Sequence, residues 1–347
     1  MRSEPSTPSP GTTGIRPFAA TVLALLLLGG CASASGPDTG PDPGPDTGPD
    51  TGPDTGPDGG GDWWRPAPGE VASWEWQLEE PYDLGVDAQM YDLDLFEVAP
   101  EGSELRYPDG EVVEVPAGPL AGAVDELHAR DPRPVVICYI DTGAYEHYRP
   151  DARMFPGYEE DLEDVPDRPA APEEGSALGW SSGWEEERWM DIRASERDAW
   201  TGVIWARFDL AEELGCDGVE PDQNNPLGND PGFPITLEDQ HSWYVELAEQ
   251  AHARGLSVGM KNGHDRPGSA AELAGHFDWA LPEECVQFDE CDELKPFIDQ
   301  GKAVFAVDYQ GAVDEDEACR EHARLGFDGM IKDLPPTAAY RRTCGEE

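Results

Sequence analysis

Basic residues are scarce in this chain. Only 23 Lys and Arg stand against 73 Asp and Glu in 347 residues, a formal net charge of −50. A field of that sign repels phosphate, which argues against nucleic acid or anionic lipid as ligand, and it would attract a cationic substrate. Solubility or adaptation to salt produces the same excess, and charge alone does not separate the two. Histidine is rare and scattered, seven residues in all, and no Cys-x-x-Cys pair occurs, so no zinc site is read. No glycine-rich phosphate-binding fingerprint follows a strand-like run, which counts against a doubly wound open sheet.

Apolar runs long enough to span a membrane are also missing. The run Phe18–Leu28 follows Arg16 and leads to Leu28-Gly29-Gly30-Cys31. A run that short is the apolar region of an export signal rather than a spanning helix. Residues 1–35 therefore read as a signal segment. Its end resembles the lipobox of bacterial lipoproteins, which makes Cys31 the expected lipidation site and a lipid anchor the only membrane contact. Ordinary signal cleavage near Ala34 is the alternative. Residues 36–62 repeat GPDTGPD, a composition that cannot bury a core and reads as an extended, disordered linker. Export permits disulfides among the six remaining cysteines. Cys285 and Cys291 are close enough to staple one loop, and Cys319 and Cys344 to tie the last helix to the tail. Cys138 and Cys216 are buried thiols or each other's partner.

Residues 63–347 suffice for one large domain. Short apolar runs recur at Trp74–Leu78, Met90–Phe96, Val135–Asp141, Cys216–Pro221, Leu256–Lys261, Phe277–Pro282, Ala303–Tyr309 and Phe327–Ile331. Continuous apolar runs suit parallel strands covered on both faces, and helical patterns ending at Gly255, Gly301 and Gly326 lie between several of them. This predicts an α/β fold, a single (β/α)8 TIM-type barrel. The first two strands are joined by a short link. The long segment from Thr142 to Ser195, rich in Pro, Trp and acids, is expected over the C-terminal mouth.

Acids gather at the strand ends: Asp92 and Asp94, Asp141, Glu220 and Asp222, Glu283, Asp308 and Asp333, with Lys261-Asn262 ending the fifth strand. A lone acid there is usually a cap, but a ring of them at the catalytic face of a barrel points to acid–base chemistry. Glu220 and Asp222 are two apart on a strand and share a face. Two carboxyls converging on a glycosidic bond supply one proton donor and one nucleophile or base. Lys261 among them would lower the pKa of a neighbouring carboxylate. Trp180 and Trp184, set among Gly, Ser and Glu, together with Tyr139 and Tyr309, offer rings that stack on sugar faces.

Taken in order, WEWQL (Trp74–Leu78), DLDLF (Asp92–Phe96), ICYIDTGAYEHYRPD (Ile137–Asp151), WMDIR (Trp189–Arg193), GCDGVEPDQNN (Gly215–Asn225), GFPIT (Gly232–Thr236), GLSVGMKN (Gly255–Asn262), EECVQFDEC (Glu283–Cys291) and GKAVFAVDY (Gly301–Tyr309) resemble the endo-α-1,4-polygalactosaminidases, glycoside hydrolase family 114. The resemblance implies a β/α barrel that hydrolyses α-1,4 bonds in galactosamine-containing polysaccharide with no metal or organic cofactor. It places the catalytic pair on Asp222 and Glu283. Departures lie beside that pair. EPDQNN carries Gln223 where the family has Asn and Asn225 where it has Asp, and Pro282-Glu283-Glu284-Cys285 stands for Asn-Glu-Gln-Cys.

The expected mechanism has Asp222 attacking the anomeric carbon and Glu283 protonating the leaving oxygen, with the roles open to exchange. Tyr139, Asp141, Asp191, Glu220, Lys261, Asn262, Tyr309, Trp180 and Trp184 are expected to hold the sugar. The expected partner is a cationic amino-sugar polymer, not nucleic acid, and the chain is expected to act as an exported monomer. Another α-glycoside hydrolase on the same barrel, or a polysaccharide-binding lipoprotein without catalysis, are the alternatives.

Overall fold

The computed structural model describes residues 63–160, 172, 174–184 and 186–345. The expected export segment, Cys31 and the linker lie outside the described residues. Each apolar run forms a strand: β1 (Trp74–Gln77), β2 (Met90–Asp94), β3 (Val135–Asp141), β4 (Gly218–Asp222), β5 (Ser257–Lys261), β6 (Trp279–Leu281), β7 (Val307–Tyr309) and β8 (Met330–Lys332). β1 to β6 pair in sequential order, all parallel. Bridges Ala280↔Val304 and Glu283↔Val307 carry the sheet on to β7, which pairs parallel with β8.

Helices α1 (Ala123–His128), α2 (Thr201–Leu214), α3 (Leu237–His252), α4 (Ser269–Leu273), α5 (Lys295–Asp299) and α6 (Glu315–Leu325) separate consecutive strands from β2 onward. Local signals fix their ends. Thr236 and Asp239 form a capping box at the start of α3, while Gly215 and Gly326 close α2 and α6 in the left-handed conformation. The result is the expected α/β barrel. Among the described residues no helix is long and apolar enough to cross a membrane.

The barrel interior is layered. Trp74, Met90, Ile137, Trp279, Phe305 and Val307 fill its lower part as one apolar cluster. Gly259 makes room for this filling, since a Cβ there would sit 2.4 Å from the Trp279 ring. Two residues further along these strands the inward positions turn polar, with Asp92, Glu220 and Lys261 all buried. A larger apolar cluster lies between sheet and helices.

Three elements were not expected. A strand at Arg341–Thr343 pairs antiparallel with β8 and occupies the edge that would otherwise meet β1. Arg341 Nε bonds the Trp74 carbonyl across that seam at 3.0 Å. The long segment after β3 builds a three-stranded antiparallel sheet from Ala144–Glu146, Leu178–Ser181 and Glu187–Met190. A hairpin, Ser103–Arg106 with Val112–Val115, precedes α1. Disulfides join Cys138 to Cys216, Cys285 to Cys291 and Cys319 to Cys344.

Candidate active site

A cavity of about 660 Å³ opens where β1 to β7 end. Neighbouring strands come close there: Thr142 and Gly143 both donate backbone N–H groups to the Asp222 carbonyl at 3.1 Å. Only glycine fits at 143, because a Cβ would lie 1.7 Å from the Gln223 carbonyl oxygen. In-register pairing sets Tyr139 beside Glu220 and Asp141 beside Asp222.

Lys261 stands at the centre. Its Nζ is 2.8 Å from Glu220, 3.2 Å from Asp222 and 3.3 Å from Glu283, and it lies over the Trp76 ring. Burial works to discharge this ammonium, but Asp222, Glu220 and Glu283 outweigh it and hold its pKa well up. Tyr139 donates to Asp222 at 3.1 Å, and the Gln223 N–H donates to its other oxygen at 2.7 Å. Glu283 accepts from Asn262 Nδ2 at 2.9 Å and from the Tyr309 hydroxyl. Burial and then nearby carboxylates keep both phenols protonated, so each remains a donor.

The acids differ in proton affinity. Burial pushes Asp222 up, with Glu283 adding to the effect and Lys261 opposing it. For Glu283 burial acts the same way, but Lys261, Tyr309 and Asn262 prevail and hold it below the usual glutamate range. Glu220 is fully buried, accepts from Trp76 Nε1 at 3.0 Å, and is pushed up to about 7 by burial, with Lys261 pulling down and Asp222 pushing further up. Beneath it, neither oxygen of buried Asp92 meets a donor. Burial and then the charge of Glu220 push its pKa well above the usual aspartate range, which favours the neutral form of Asp92.

The structure thus gathers Tyr139, Glu220, Asp222, Lys261, Asn262, Glu283 and Tyr309. Trp184 lines the same cavity, 44% exposed. Asp141 is buried behind the wall, with its Oδ1 accepting from Gly143 and Ala144. Asp191 stands apart, paired with Arg193 and lining a different cavity near Phe233. Trp180 packs against Gly232 and does not line the cavity of the acids. Two other acids of the expected ring face elsewhere, Asp308 bonded to buried His322 and Asp333 to Thr337.

Sequence reasoning missed several cavity residues, Trp76, Glu146, Arg149 and Glu187, while Asp94 of the strand-end ring does line the cavity. Arg149 is buried between Asp94 and Glu146. The alternation in AYEHYRPD carried a signal for Glu146, two residues before Tyr148 and so on the same face.

A β/α barrel with a carboxylate-lined cavity at its C-terminal mouth is the plan of a glycoside hydrolase, and this chain is one. It belongs to glycoside-hydrolase family GH114, whose sequence model matches residues 54–347. Among solved structures it is similar to Aspergillus fumigatus Ega3 in complex with galactosamine, at 28% identity and TM-score 0.58, covering 81% of this chain and 97% of that one. Weaker likenesses include the sucrose 6F-phosphate phosphorylase of Thermoanaerobacter thermosaccharolyticum, at 10% identity and TM-score 0.35 over 68% of this chain and 59% of that one. The spore cortex-lytic enzyme SleL of Bacillus megaterium reaches 8% identity and TM-score 0.33, over 75% and 58%. No curated protein matches the chain.

Proposed function

We propose that this enzyme cleaves α-1,4 bonds in galactosamine-containing polysaccharide, with Asp222 and Glu283 as its catalytic pair. One observation carries the substrate class. The cavity lining holds Glu79, Glu80, Asp94, Glu97, Glu146, Glu187, Asp222, Glu283 and Glu284 against only Arg149 and Lys261, and both bases are already ion-paired. Such a lining favours a polycation over a neutral glycan. The galactosamine held by the Ega3 structure supports the same class.

Asp222 and Glu283 each contact Lys261 Nζ, so those two oxygens stand no further apart than the two contacts laid end to end, about 6.5 Å, where the inverting range begins. That spacing favours retention through a covalent glycosyl-enzyme. Electrostatics favours Glu283 as the ionised member that attacks the anomeric carbon and Asp222 as the acid that protonates the leaving oxygen. Asp222 then takes a proton from water as the intermediate is hydrolysed. This order reverses the first assignment made from sequence.

Sized products from partly deacetylated α-1,4-galactosamine polymer test the substrate. Cleavage of neutral α-galactan instead would overturn that class, and binding without cleavage would mark a binder. Asp222→Asn and Glu283→Gln should each lower turnover by ~10³-fold or more. Azide should restore Glu283→Gln with glycosyl azide of inverted configuration, and the opposite pattern would return the nucleophile to Asp222. We further propose that residues 1–35 direct export and that Cys31 carries the lipid anchor. Loss of palmitate labelling in Cys31→Ser checks this.

A further inference from the structure

Resting on Asp222 and Glu283 as the catalytic pair, we infer that Glu220 is a positioning residue for the reaction: it anchors the Lys261 ammonium midway between those two acids, where one fixed cation serves both halves of the cleavage. Substrate does not reach Glu220. Its side chain is fully buried and absent from the cavity lining, and both of its oxygens are taken. Oε1 accepts from Lys261 Nζ at 2.8 Å and Oε2 from Trp76 Nε1 at 3.0 Å. An ammonium has three N–H donors, and Lys261 faces three carboxylates. The shortest contact goes to the acid that takes no part in bond making. The other two, 3.2 Å to Asp222 and 3.3 Å to Glu283, are nearly equal. The rings of Trp76 and Tyr139, 4.7 and 5.8 Å from Nζ, flank the nitrogen.

A buried ion pair adds little stability over apolar filling of the same volume, so one placed directly beneath the catalytic acids calls for another reason. Movement of charge supplies it. In the first step a Glu283 carboxylate oxygen bonds to the anomeric carbon. The bond from that carbon to the leaving oxygen breaks with its electron pair, and the leaving oxygen takes the proton of Asp222. Negative charge has then passed from Glu283 to Asp222. Hydrolysis sends it back: the water oxygen bonds to the anomeric carbon, one water proton goes to Asp222, and the Glu283 carboxylate leaves. An ammonium equidistant from both acids meets the charge at either end without moving, which is the preorganisation that lowers such barriers. Without its anchor, Nζ would close on whichever acid is ionised and stabilise the ground state more than the transition state. Exchanging the roles of the two acids leaves this argument unchanged.

The test measures kcat and KM on partly deacetylated α-1,4-galactosamine polymer. Glu220→Gln should lower kcat ~10²-fold or more while KM changes by less than ~2-fold. Glu220→Asp, which keeps the charge, should recover ~10-fold or more of that loss. Because Glu220 acts through Lys261, adding Glu220→Gln to Lys261→Met should cost less than ~2-fold beyond Lys261→Met alone. Wild-type kcat in Glu220→Gln, a KM that rises as kcat falls, or losses that multiply in the double variant would overturn the inference. If Glu220→Gln fails to fold because Lys261 is left unpaired, the double variant removes both charges and keeps the comparison with Lys261→Met. Turnover retained in Asp222→Asn or Glu283→Gln would instead overturn the catalytic pair on which the inference rests.

Discussion

Gln223, Asn262 and Glu284 follow directly on Asp222, Lys261 and Glu283, and hold φ of 60°, 49° and 56°. Three strands thus break into the left-handed region one residue past a functional side chain. That conformation costs a non-glycine residue roughly 1–2 kcal/mol, less for Asn. Gln223 stands where the family resemblance expects Asn, so Gln223→Asn should stabilise the fold by up to about 1 kcal/mol, read as a higher urea midpoint. Glu187 gives a pH prediction. Its folded pKa of about 8 lies above the ordinary glutamate value, so the folded state keeps a proton the unfolded state releases. That contribution is present at low pH and is lost as pH rises through about 8. Glu187→Gln should therefore match wild-type Tm near pH 5 and exceed it at pH 8, with Asp141 leaving a residual slope of the same sign. At this scale the sequence spoke through alternation. Glu220 and Asp222 were readable because a period of two puts them on one face. Asp191 belongs to WMDIR, a piece of the family resemblance, but just past the strand Glu187–Met190 its carboxylate pairs with Arg193 and does not line the cavity.

Elements were legible where burial on both faces leaves a mostly apolar run, which is why six of the eight barrel strands lie within the marked stretches and β4 and β8 overrun theirs by one residue, Asp222 and Lys332. Arg341–Thr343 left no such trace. It is three polar residues long, and its place depends on the free edge of β8 and on the β1 backbone that Arg341 reaches. The sheet over the mouth was equally hidden, because its strands mix Glu, Arg and Ser with aromatics and pair only with one another. Within the barrel, β5 depends on Gly259 to accept the Trp279 ring. Gly259→Ala forces a methyl into that ring and should destabilise by about 1–3 kcal/mol, seen as a lowered denaturant midpoint with an unchanged slope.

For the whole molecule, a net charge of −50 acts on any polymer approaching the cavity. Surface fields fade beyond a Debye length of about 10 Å at 0.1 M salt, whereas buried pairs such as Lys261–Glu220 are screened far less. Raising NaCl from ~0.05 to ~0.5 M should therefore raise KM for a deacetylated galactosamine polymer several-fold and leave kcat nearly constant. A parallel fall in kcat would place the salt effect at the catalytic pair instead. The strand that seals the seam between β8 and β1 has a consequence for biosynthesis. It is the last piece of the wall to be synthesised, so any nascent chain still short of Thr343 is a slit cylinder with two raw backbone edges. Tags or fusions placed just after Thr343 should therefore be chosen so as not to tug that final stave out of line.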